Sequence, residues 1–164
     1  MNSLEEKLKK IHVLCVQRKL SIATAESCTG GYISKLITDQ SNSSQYYKGS
    51  IIAYSNQVKS DILNVPPELI STHGAVSKDV SISMARGLLN IMHADVALSV
   101  TGIMEKNDMN SAKDCQVYIT MMSLDYELTS YSKLDGSRKD NRLNTVNLAF
   151  SCLYDFINKH YLLS

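Results

Sequence analysis

A chain of 164 residues is about one domain long, enough to bury a core of its own. Its 44% hydrophobic and 20% charged residues, with two prolines and seven glycines, exclude a disordered, collagenous or membrane-spanning composition. A formal net charge of +1 argues against a nucleic-acid groove as the main surface, because phosphate binders concentrate Lys and Arg on one face.

The first predicted element is an amphipathic helix over residues 3–19, with Leu4, Leu8, Ile11 and Cys15 at helical spacing. Lys7, Lys9, Lys10, Arg18 and Lys19 share it with Glu5 and Glu6 and form a solvated face. The start of the chain carries no apolar signal region, and the four cysteines, Cys15, Cys28, Cys115 and Cys152, form no C-x-x-C pair. A cytoplasmic protein with reduced thiols is the expectation. The four scattered histidines make no ligand spacing with the cysteines, so neither a metal nor a cofactor is expected.

A strand over 21–25 should lead into a helix over 28–38 that starts on small residues. A second strand, 49–54, precedes a short helix over 56–63, with Pro66-Pro67 as its exit loop. Ser77 is placed to cap a long helix to His93, with Val80, Met84, Leu88 and Ile91 on the buried stripe. The run 95–101 is nearly all apolar, as in a central strand covered on both faces. Residues 103–114 read as a polar loop. A hairpin over 115–123 and 126–134 follows, turning at Leu124-Asp125. Ser137 with Asp140 resembles a capping box for a last helix striped by Leu143, Val146, Phe150, Leu153 and Ile157. With no repeat and no linker, residues 1–164 read as one domain. The alternation predicts a three-layer α/β/α sandwich around a mainly parallel mixed sheet, with the C-terminal hairpin antiparallel.

Ligands in such sheets sit beyond the carboxyl ends of the strands, which directs attention to three exits. At Thr24–Gly31, Ser27 sits at a strand-to-helix junction. Unpaired amides there would help a nucleophile and its oxyanion, or Ser27 merely caps the helix. At Tyr54–Lys59, Lys59 falls in a first helical turn, where the helix dipole lowers a lysine pKa, or it is an ordinary surface lysine. Thr101-Gly102 could offer a hydroxyl and an amide to a ligand, or form a turn. Arg138 and Arg142, four residues apart on one helical face, suit a phosphate, or pair with Asp135 and Asp140. Cys28, beside Ser27, is the alternative nucleophile. His73 is read as a structural hydrogen-bonder.

The segments TAESCTGG (24–31), YSNQVK (54–59), HGAVS (73–77) and VTGI (100–103), with Gly136-x-Arg138 and Arg142, resemble the C-terminal domain of the competence/damage-inducible CinA family. The likeness runs from about Leu4 to Ile157. It implies an α/β/α domain, often self-associating, so a homo-oligomer is expected. It also implies hydrolysis of nicotinamide mononucleotide to nicotinic acid mononucleotide and ammonia, with a small-molecule nucleotide as partner and neither nucleic acid nor membrane. By resemblance, Ser27 is the nucleophile, Lys59 its base, and Tyr54 a hydroxyl that orients or shares the proton. Amides near Cys28, Thr29 and Gly30 would hold the oxyanion, Thr101 and Gly102 would contact substrate, and Arg138 and Arg142 would hold the ribose phosphate. Relatives carry a separate N-terminal domain, which this chain is not expected to have. One departure stands out: where the family has a glycine-dense loop after TGI, this chain has Met104-Glu105-Lys106-Asn107-Asp108-Met109-Asn110. Side chains cannot copy the close backbone approach of glycine, which implies weaker nucleotide binding. The alternative is a nucleotide-binding or regulatory domain that kept the fold and lost turnover.

Overall fold

In a computed structural model, residues 3–106 and 114–161 are described. The elements in chain order are α1 (Leu4–Arg18), β1 (Ile22–Glu26), α2 (Tyr32–Thr38), β2 (Tyr47–Ile52), α3 (Asn56–Leu63), α4 (Pro67–His73) and α5 (Lys78–Met92). They are followed by β3 (Val96–Ile103), β4 (Gln116–Met122), β5 (Glu127–Lys133) and α6 (Arg138–His160). The five strands form one sheet in the order β2-β1-β3-β4-β5. The β1–β2 and β1–β3 pairings are parallel and the β3–β4 and β4–β5 pairings antiparallel. Helices α1, α2 and α6 cover one face of the sheet and α3 and α5 the other, as an α/β/α sandwich requires.

The two faces differ in side-chain size, and the period-2 alternation of the strands sets the difference. Toward α1, α2 and α6 the central strands send Ile22, Val96, Leu98, Val100, Ile119 and Met121. Toward α5 they send Ala23, Ala25 and Ala97, so α5 lies close to the sheet on Val80, Met84, Ala85 and Leu88. The one polar residue inside the central run, Ser99, donates to the Ser81 carbonyl at 2.6 Å, which satisfies a hydroxyl that burial would otherwise penalise. Helix α3 packs against α5 at Gly87, where an added Cβ would stand 1.8 Å from the Leu63 carbonyl oxygen.

Several boundaries differ from expectation for identifiable reasons. The second helix begins at Tyr32 rather than Cys28, because Gly30 and Gly31 adopt φ of +58° and +90° and hold 28–31 as a turn. The Pro66-Pro67 stretch is not an exit loop but the start of α4, with Pro67 at a first-turn position where its missing N–H costs nothing. Ile91 and Leu143, expected on buried stripes, are each 40% exposed. Val80, Met84, Leu88, Val146, Phe150, Leu153 and Ile157 are buried as predicted. Ser137 accepts from the Asp140 amide as an N-cap, but the Asp140 carboxylate takes the Ser137 hydroxyl, so the reciprocal half of a capping box is absent. The stretch after TGI leaves the sheet one residue later than expected: β3 continues through Ile103, and Met104 is buried. Asn107 to Asn110 lie outside the described residues.

Helix propensity alone makes Gly87→Ala stabilising by about 1 kcal/mol. The Leu63 carbonyl reverses that sign, and we expect a loss of about 1–3 kcal/mol in chemical denaturation. A variant as stable as the parent would mean that α3 moves freely over α5.

Candidate active site

Strand β1 lies between β2 and β3, so its carboxyl end is the point where the connections diverge to opposite sides of the sheet. Ser27 is the first residue past that end. Its amide donates to the Val100 carbonyl of β3 at 3.0 Å, and the residue is buried. The turn that follows is organised around Glu26. This fully buried carboxylate accepts from the Thr29 hydroxyl at 2.7 Å and from the amides of Gly31, Ile33 and Ser34 at 3.0, 3.1 and 2.8 Å. The amides of Gly31, Ile33 and Ser34 at the start of α2 are therefore consumed by Glu26, and the Gly30 amide, expected at the oxyanion, donates instead to the Ser27 carbonyl at 3.1 Å. The amides of Cys28 and Thr29, one turn earlier, donate to no backbone carbonyl among the described residues.

Lys59 comes from the first turn of α3, which Ser55 caps by accepting from the Val58 amide. Its side chain runs inward and is 2% exposed, so it is no surface lysine. The Nζ atom lies 3.0 Å from Ser27 Oγ and donates to the Ala53 carbonyl at 2.8 Å. Ala53 is itself fixed, its amide donating to the Glu26 carbonyl at 2.8 Å. Burial pushes the Lys59 pKa below the ordinary lysine value, because a charged ammonium is poorly solvated there. Cys28 is also enclosed, and burial pushes its thiol up to about 12, leaving it protonated and a poor nucleophile.

These groups open on a cleft of ≈ 490 Å³. Of the residues expected in a site, Ser27, Cys28, Tyr54, Lys59, Thr101, Gly102 and Arg138 line it. Thr101 donates its hydroxyl to the Ala75 carbonyl at 2.8 Å, tying β3 to the segment before α5. Gly102 is held without a side chain, since a Cβ would meet the Gln116 carbonyl oxygen and Met104 Cε at 2.7 Å each. Tyr54 lies at the mouth, 61% exposed, and its hydroxyl accepts from Arg138 Nη2 at 3.0 Å rather than joining the Ser27–Lys59 contact.

Thr29, Gly30 and Arg142 stand behind the turn and do not line the cleft. Arg142 donates to the Thr29 carbonyl at 2.7 Å, so it braces the turn from α6. Arg138 has different partners: it pairs with Glu105 at 3.0 Å as well as with Tyr54. The alternative pairs with Asp135 or Asp140 are absent among the described residues. His73 pairs with Asp79 at 3.4 Å, away from the cleft.

Asn56, Ala75 and Val76 also line the cleft and were not assigned from sequence, while Met104 and Glu105, which line it too, come from the stretch after TGI that the sequence marks as a departure from the family pattern. Ala75 and Val76 lie inside the HGAVS segment, so the segment itself was the signal. Glu26 was equally visible inside AESCTGG, but nothing local shows that a glutamate will be buried. Among the described residues no group of three or more His, Cys, Asp or Glu could hold a metal ion, and no helix is long and apolar enough to cross a membrane.

The fold and this site define an α/β/α domain with a serine–lysine pair at the exit of the central parallel strand. The chain belongs to the CinA family: the model of the CinA C-terminal domain matches residues 4–157. A protein of Halothermothrix orenii named for competence-damage induction is 41% identical over 150 residues, covering 90% of this chain and 36% of its own length. A CinA-like protein of Mycobacterium tuberculosis is 40% identical over 134 residues, covering 80% of this chain and 31% of its own. The chain thus spans about a third of the length of such curated relatives. Among solved structures, the competence or damage-inducible protein of Enterobacter asburiae superposes with a TM-score of 0.89 at 26% identity, covering 96% of this chain and 99% of that one. The competence damage-inducible protein A of Klebsiella pneumoniae shares the fold with a TM-score of 0.93 at 23% identity, covering 98% and 100%.

The Glu26 cluster sets a test of the turn. Glu26→Gln puts a donor where two oxygens receive only donors. We expect a stability loss of about 1–3 kcal/mol, read as a fall of about 2–10 °C in Tm. An unchanged Tm would show that the turn does not depend on the carboxylate.

Proposed function

We propose that this domain hydrolyses the carboxamide of nicotinamide mononucleotide by serine–lysine acyl transfer. The observation that carries the reading is the 3.0 Å contact between Ser27 Oγ and the buried Lys59 Nζ at the bottom of a cleft. A serine hydroxyl is a weak nucleophile until a neighbouring base takes its proton. A lysine can be that base when burial favours its neutral form, and the Ala53 carbonyl leaves the Nζ lone pair free to face Ser27 by accepting one N–H.

In the proposed reaction Lys59 takes the Ser27 proton as Oγ attacks the amide carbon. The oxyanion is received by the amide of Cys28, which lines the cleft beside Ser27. As the C–N bond breaks, Lys59 returns the proton to the nitrogen and ammonia leaves. Water then attacks the acyl-serine, giving its proton to Lys59, and collapse restores Ser27 and releases the acid. One oxyanion donor of this kind is worth about 3 kcal/mol of barrier lowering. Arg142 and Glu26 act by positioning the turn that carries that amide. Arg138 and Tyr54, at the mouth, are assigned to the ribose-phosphate end of the substrate. The intact Ser27–Lys59 contact favours turnover over the binding-only alternative.

Ammonia release from the mononucleotide by the purified chain tests the reading directly. Ser27→Ala should lower kcat by about 10³-fold or more, while Cys28→Ala keeps turnover. Loss in Cys28→Ala alone would move the nucleophile to the thiol.

The pH dependence follows from the state of Lys59. The base works neutral, so kcat/KM should rise with pH through a single deprotonation, and burial places that limb below the ordinary lysine range. Lys59→Arg stays protonated at every working pH and should be inactive throughout. An active Lys59→Arg domain would exclude the lysine as base.

A further inference from the structure

The residues after β3 are anchored in a way that places one carboxylate. Met104 is buried, its carbonyl accepts from Asn141 Nδ2 at 2.8 Å, and its sulfur accepts from the Thr145 hydroxyl at 3.7 Å. Asn141 is itself locked, exchanging hydrogen bonds with the Gly136 amide and carbonyl at 2.9 and 2.8 Å. The chain therefore leaves β3 pinned to α6, and the next residue, Glu105, is delivered to the cleft mouth. There its Oε1 accepts from Arg138 Nη1 at 3.0 Å, while Arg138 Nη2 donates to the Tyr54 hydroxyl at 3.0 Å.

The charged residues lining the cleft are Lys59, Arg138 and Glu105. With Lys59 acting as a neutral base, the mouth holds one positive and one negative charge, already paired. A phosphate is best recognised by a guanidinium through two parallel N–H groups. Both terminal nitrogens of Arg138 are committed, one of them to an anion. An incoming phosphate must displace Glu105 or sit beside it. The pyridinium ring of a nicotinamide nucleoside is cationic and meets no such conflict.

We propose that Glu105 sets the charge selectivity of this cleft, so that the domain takes the unphosphorylated pyridinium nucleoside amide at least as readily as the mononucleotide. This rests on the amidase reading above. Glu105 touches neither Ser27 nor Lys59, so its effect belongs in substrate binding and not in the chemical step. The Glu105–Arg138 pair is half exposed, and salt should weaken the discrimination.

The experiment compares kcat/KM for nicotinamide mononucleotide and nicotinamide riboside in the parent chain, Glu105→Gln and Glu105→Asp. The parent should favour the riboside or hydrolyse both within about threefold, as expected where the cleft holds no uncompensated positive charge. Glu105→Gln should raise kcat/KM for the mononucleotide about five- to tenfold through KM, with kcat unchanged, no gain for the riboside, and the effect shrinking at high salt. Glu105→Asp should stay near the parent. A parent preference for the mononucleotide beyond threefold, or a ratio that Glu105→Gln leaves unmoved, overturns the proposal. Should neither amide be hydrolysed, the amidase reading fails. Charge selection is then decided by calorimetric binding of the same two amides to the same proteins, and equal affinity ratios, or no binding of either, overturn it.

Discussion

A carboxylate with no exposure to water must find donors inside the protein, and Glu26 finds four in the eight residues that follow it. That requirement folds the chain back at the end of β1. The turn places Ser27 at the carboxyl end of a central strand and starts α2 only at Tyr32. It also separates two sets of amides: those of Gly31, Ile33 and Ser34 serve Glu26, and those of Cys28 and Thr29 are left over. Arg142 then closes the back of the turn through the Thr29 carbonyl. A buried charge held by this many hydrogen bonds is rigid, because losing any of them leaves the oxygen unsatisfied in a low-dielectric interior.

The second half of the site is brought to that turn by packing. Lys59 reaches Ser27 because α3 begins directly after β2 and lies against α5, where Gly87 removes the side chain that would hold them apart. Small residues on one face of β1 and β3 let α5 approach the sheet. The serine–lysine pair thus depends on the size asymmetry between the two sheet faces as much as on the two residues themselves. Burial of Lys59 follows from the same packing, and with it the shift that makes a lysine usable as a base.

At the mouth of the cleft, buried residues decide where a charged side chain falls. Met104 and Asn141 are structural, yet together they fix where Glu105 falls. The turn, Ser27 and Lys59 lie in the segments that carry the family resemblance, whereas the carboxylate on Arg138 lies outside them, in the residues that follow VTGI.

The sequence alone was enough for the layered architecture, the hairpin, the Ser77 and Ser137 caps and most buried stripes, because these depend on periodicity and local hydrogen bonding. It also pointed to Ser27 and Lys59, through the three strand exits and the family segments. Local pattern went wrong where a distant group intervened. The start of α2 was misplaced because Glu26 and two left-handed glycines compete with helix formation. Pro66-Pro67 was read as an exit loop because proline at a first helical turn looks the same as proline in a turn. Arg138 and Arg142 share a helical face and were read alike, but only the tertiary structure could give one to Thr29 and the other to Glu105 and Tyr54. Each of those partners lies more than thirty residues away in the chain, and spacing along a helix carries no information about what the fold brings opposite it.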